Sequence, residues 1–157
     1  MKAWEVFARM DPERAHALLE GLRKESPAMY TQALGAASVF LKARPGFVMK
    51  QKPERRAQLV RQALARVATN PVAEEVLAAY FLQVKKPLLV EWLDALGLEH
   101  EEGSLTADAP PEPARGALDK VVRAFRKPDD AADRELLLQA FAAQTAIEWP
   151  TLEALIG

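Results

Sequence analysis

Cysteine is absent from the 157 residues, and that omission removes disulfides, thiolate zinc sites and thiol nucleophiles together. It fits a reducing, cytoplasmic compartment. Histidine is nearly absent as well, so His16 and His100 carry all the imidazole chemistry. The seven glycines are scattered and make neither a phosphate-cradling P-loop nor a dinucleotide fingerprint, which sets aside those nucleotide-dependent chemistries. No apolar run approaches the roughly 18 residues of a membrane span; Leu77–Leu82 is bounded by acids on one side and by Lys85 and Lys86 on the other. Near the start, Glu5 and Arg9 interrupt any apolar core of a secretion signal. The expectation is a soluble chain with no membrane role. Strand-like alternation rich in Val, Ile and Thr is missing too.

What is present is ordinary globular composition, half apolar and 27% charged, which argues against disorder and for a chain able to bury a core. The net charge of −1 conceals a dipole. Between Lys42 and Arg66 stand eight basic side chains (Lys42, Arg44, Lys50, Lys52, Arg55, Arg56, Arg61 and Arg66) against the single acid Glu54. From Glu91 to Glu112 the chain holds acids and no Lys or Arg. Such clusters set up local potentials that the net charge hides.

The eleven prolines mostly stand where a helix would begin. Asp11-Pro12, Ser26-Pro27 and Asn70-Pro71 each place a side-chain oxygen at a predicted N-cap and proline at the first helical position. Lys52-Pro53, Lys86-Pro87 and Trp149-Pro150 read as further starts without the cap. Between these marks the apolar spacing follows the 3.6-residue period, as in Val72, Val76, Leu77, Tyr80, Phe81 and Val84. We therefore expect helices near 2–9, 12–24, 27–42, 53–68, 71–85, 87–96, 112–126 and 130–146, with a short ninth from Pro150. Ala33, Gly35, Ala36 and Ala37 put small side chains in the third helix, which allows a close neighbour or, alternatively, a kink. Arg44 to Met49 reads as a turn followed by three apolar residues, Phe47, Val48 and Met49, which either stand exposed within the basic region or, on the favoured reading, plug the core.

The predicted fold is all-α: about eight short amphipathic helices in an orthogonal or helical-repeat-like bundle with one long acidic loop. One domain, 1–157, is expected, with a subdivision into a helical core 1–97, an acidic Pro-rich loop 98–113 and helices 114–157 too few to fold alone. The loop's composition suggests mobility, with a small hairpin around Glu102-Gly103 as the alternative. A faint internal echo points to a duplicated helical unit: Glu75, Leu77 and Phe81 return as Glu135, Leu137 and Phe141, and Leu93–Leu96 as Leu152–Leu155.

Catalytic chemistry has little to stand on. Glu13 and His16 have the Glu-x-x-His spacing of a carboxylate-bridged metal bundle, but no second copy follows, and residue 97, three before His100, is glycine. Ser26, Ser38 and Ser104 lie in no Gly-x-Ser-x-Gly setting. We expect no catalytic, cofactor-binding or metal-binding residues and no enzyme; a helical enzyme or metal-binding bundle ranks third. The leading expectation is a non-catalytic protein-interaction module, an adaptor or regulator, with a protein partner or self-association. Its contact residues would be Lys42, Arg44, Lys50, Lys52, Arg55, Arg56 and Arg61 at the basic pole and Glu99, Glu101 and Glu102 at the acidic one, with Trp4, Trp92 and Trp149 as candidate anchors, although each of the three, Trp92 above all, reads more readily as a core residue. The alternative is a nucleic-acid-binding protein that meets phosphates with the basic segment and stacks a base on Phe47. A pI near 6.2 weighs against that alternative.

Overall fold

The computed structural model describes residues 1–157 and is all-α apart from one two-residue hairpin. Ten α-helices follow in order: α1 Ala3–Arg9, α2 Pro12–Glu25, α3 Pro27–Leu41, α4 Pro45–Met49, α5 Pro53–Leu64, α6 Asn70–Ala79, α7 Lys86–Leu96, α8 Arg115–Phe125, α9 Ala131–Ala142 and α10 Pro150–Ile156. A 3₁₀ turn, Val67–Thr69, precedes α6, and the π-helical segment Tyr80–Val84 continues it. Contacts divide the chain into two compact units, Lys2–Val84 and Lys85–Gly157, with Met1 grouped with the second. No helix is long and apolar enough to cross a membrane.

The expected prolines do open helices, and of the three expected caps one forms and two do not. Asp11 caps α2, its Oδ1 accepting from the Arg14 amide at 2.8 Å. Ser26 makes no side-chain cap bond to α3. Asn70 is the first residue of α6, not its cap, and its Oδ1 accepts from the Trp4 amide at 3.1 Å, tying α1 to α6. The side chain that a local reading makes a cap is here spent on a tertiary contact.

In the Lys2–Val84 unit, α1 packs on α5 and α6, and α2 packs on α3, α5 and the π segment. Ala3, Val6, Phe7, Leu18, Leu22, Leu64, Val76 and Leu77 fill its core. The small residues of α3 serve close packing: Ala33 and Ala37, one turn apart, are fully buried where α3 meets its neighbours, and the helix runs unbroken. Gly21 of α2 meets the π segment so closely that an added Cβ would stand 2.9 Å from Val84 Cγ1 and 3.3 Å from Tyr80 Cε1.

In the Lys85–Gly157 unit a chain of aromatic rings forms the core. Trp92 touches Phe125 and Phe141, with ring centroids 5.1 and 5.7 Å apart, and Phe141 touches Trp149 at 5.3 Å. The acidic segment opens with the hairpin His100–Glu101 paired to Ser104–Leu105, turned at Glu102 and Gly103, both with positive φ. The rest of the segment is held at two further points, which corrects the expectation of a mobile loop. Trp149 Nε1 donates to Pro110 O at 2.9 Å, and Glu112 Oε1 accepts from the Thr151 and Leu152 amides at 2.7 and 3.2 Å. Glu112 thus caps α10 from 39 residues away.

The two copies of the internal echo fall differently on the two units. Its second copy, α9 and α10, lies within one unit, whereas its first copy straddles the division at Val84 and Lys85.

Candidate functional site

The basic segment begins at the end of α3 and runs through α4 into α5. Tyr30 near the start of α3 receives a hydrogen bond from Arg56 Nη1 near the start of α5, at 2.9 Å. Phe40 near the end of α3 lies under the Arg66 guanidinium just past the end of α5, 4.9 Å from the ring centroid. Both contacts have the same sequence offset, so α3 and α5 run in the same direction and residues 42–52 must return along them. That return carries α4. In a five-residue helix only one side can face inward, and Val48 takes it, fully buried. Phe47 and Met49, each about 100° round the helix from Val48, are left in solvent, each 51% exposed. The expected core-plugging turn is therefore a short helix with one core residue and two outward ones.

Two more aliphatic side chains are exposed on this unit, Val39 at 80% on the last turn of α3 and Val67 at 70% in the 3₁₀ turn. Sequence reading missed both. A signal existed for Val39, which lies about 200° round α3 from the buried Ala37.

The eight cations divide into two groups. Lys42, Arg44, Lys50, Lys52 and Arg55 are exposed. Arg56 and Arg61 are half-buried, the first committed to Tyr30 and the second donating from Nε to Gln58 Oε1 at 3.1 Å. Arg66 is exposed and lies over Phe40. None of the eight forms an ion pair. Lys42 closes α3 in the left-handed region, φ 53°, a conformation that normally favours glycine.

Beneath this face lies a small polar cluster. Glu20 of α2 accepts from Arg23 Nε and Nη2 at 3.1 and 2.8 Å. That hydrogen bonding holds its carboxyl below the ordinary range against the opposing effect of partial burial, with Arg23, His16 and Arg56 adding attraction. The two residues with Glu-x-x-His spacing differ in surroundings: Glu13 is exposed, whereas His16 is half-buried with Nδ1 shielded from solvent and without a partner. No group of three or more His, Asp or Glu side chains is arranged to hold a metal ion.

The acidic residues fare differently from the basic ones. Glu99 and Glu101 are exposed. Glu102 stands 3.5 Å from Lys86 Nζ, while Asp94 pairs with His100 at 2.7 Å and Glu91 with Arg134 at 2.8 Å. Part of the acidic pole is thus answered inside its own unit. Of the candidate tryptophan anchors, Trp92 and Trp149 are core residues and present no surface, in line with the core reading of each; Trp4 is half-buried.

Comparison with protein-family models, curated proteins and solved structures found no match. The most distinctive feature of this chain's own geometry is a run of cations without ion pairs interleaved with exposed apolar side chains.

Proposed function

We propose that this protein is a non-catalytic interaction module that engages a protein partner through the α3–α5 face of its Lys2–Val84 unit. The supporting observation is the joint exposure of five cations without ion pairs and of Phe47 and Met49 between them. Exposed charge alone is common and contributes little. Exposed apolar side chains add a desolvation gain when a partner covers them, and aromatic, Met and Arg side chains are enriched where protein interfaces carry their affinity.

Nucleic-acid binding is the second reading, because the same cations would meet phosphates and Phe47 would stack a base. The aliphatic side chains favour the protein reading. Val39, Met49 and Val67 offer no ring for stacking, whereas a protein surface would bury them.

A photo-crosslinkable residue in place of Phe47 tests the proposal in extract of cells expressing the protein. The expected result is a discrete protein adduct that survives nuclease treatment and disappears when Lys50, Lys52 and Arg55 are changed to Glu. An adduct that nuclease abolishes, together with salt-sensitive binding of labelled mixed-sequence DNA or RNA, would overturn the proposal in favour of the second reading.

A further inference from the structure

Resting on the protein-interaction reading, we infer that the occupant of this face is an acidic amphipathic helix. Its charge follows from complementarity. Lys50, Lys52 and Arg55 are exposed with no carboxylate paired to them, so an acidic segment gains attraction on approach and a basic one is repelled.

Its conformation follows from what the unit offers. The Lys2–Val84 unit contains no strand, so it presents no sheet edge on which an extended peptide could add hydrogen bonds. Proline-rich segments dock in grooves lined by several aromatic rings, but Phe47 is the one large aromatic side chain exposed on this unit. An extended acidic motif would use the cations alone and leave Phe47 and Met49 in solvent, whereas an amphipathic helix uses the apolar anchors and the flanking charges together.

The two kinds of contact have separate consequences. Phe47 and Met49 would meet the apolar stripe of the partner helix and hold it, slowing dissociation. The cations would meet its carboxylates and speed encounter, an effect that salt weakens.

The test is fluorescence anisotropy of the full chain with three labelled peptides of about sixteen residues. One places Leu and Phe on one helical face and Glu on the other, the second scatters the same residues, and the third is polyglutamate of equal charge. The amphipathic peptide is expected to bind at least tenfold more tightly than the other two. F47A with M49A should raise its dissociation rate about tenfold, and K50E with K52E and R55E should abolish binding. All five positions are exposed, and an unchanged circular dichroism spectrum verifies that each variant folds.

Equal binding of the scrambled peptide or polyglutamate would overturn the helical occupant while leaving a protein partner in place. Failure of every peptide would also overturn it. If an oligonucleotide alone binds, the interaction reading falls as well. Binding of this face to vesicles containing phosphatidylserine instead, or self-association in sedimentation equilibrium that K50E with K52E and R55E removes, would assign the face to a membrane surface or a second copy and overturn the inference.

Discussion

Arg134 is the buried cation of the Lys85–Gly157 unit, and replacing it with Met should destabilise that unit by about 2 kcal/mol. The guanidinium donates from Nη1 to Phe125 O at 3.2 Å and lies 4.7 Å from the Phe125 ring centroid. Its remaining nitrogens reach Asp130 at 2.5 Å and Glu91 at 2.8 Å. A hydrogen bond from a charged donor contributes about 1.5–3 kcal/mol and the cation over the ring about 0.5–2 kcal/mol. The ion pairs add little, because the Glu91 and Asp130 side chains are 51% and 46% exposed and return to water when the cation is gone. For the same reason the larger penalty of a stranded buried charge does not apply. Methionine keeps most of the apolar stem and its contact with the ring, which offsets part of the loss. Urea unfolding followed by tryptophan fluorescence suits the measurement, since Trp92 and Trp149 lie in this unit. The effect should also depend on pH. The Arg134 hydrogen bond holds the Asp130 carboxyl below its ordinary range. A depressed carboxyl stabilises the folded state above its unfolded pKa, and the contribution is lost as pH falls through the lowered folded value. The advantage of the wild type over Arg134→Met should therefore be full at neutral pH and shrink in the acid range. A variant as stable as the wild type at pH 7, or a difference that grows on acidification, would refute the argument.

Two further perturbations probe the backbone. Gly21→Ala and Gly35→Ala should have opposite signs although both lie inside helices: alanine favours the helix by about 1 kcal/mol, but at Gly21 the new methyl meets Val84 and Tyr80, whereas at Gly35 nothing stands within 4 Å. Crowding of about 1–3 kcal/mol makes the first change a net loss of roughly 1 kcal/mol, while the second gains up to about 1 kcal/mol; chemical denaturation reads both. Glu112→Ala should cost about 1 kcal/mol by uncapping α10, with faster hydrogen exchange at the Thr151 and Leu152 amides, and Glu112→Gln should recover most of it.

The sequence by itself determined the helical class and most of the helix starts. Proline position and 3.6-residue spacing are local signals, and helices form from contacts within a few residues. The hairpin turn at Glu102-Gly103 was legible as an alternative for the same reason. The basic cluster was legible as composition, and so was the absence of thiol chemistry.

Only the tertiary structure decided which of those charges and apolar groups remain available. Arg56 and Arg61 were indistinguishable in sequence from Arg55, yet they are half-buried and bonded to Tyr30 and Gln58. Trp149, a candidate surface anchor, is buried against Phe141 with its N–H on Pro110. Phe47 and Met49 flank a core residue but face outward, because α4 has one inward side and Val48 occupies it. Burial and pairing depend on neighbours distant in the chain, such as the parallel course of α3 and α5 that residues 42–52 must span. The local pattern made the helices, and their packing selected the side chains that are left exposed.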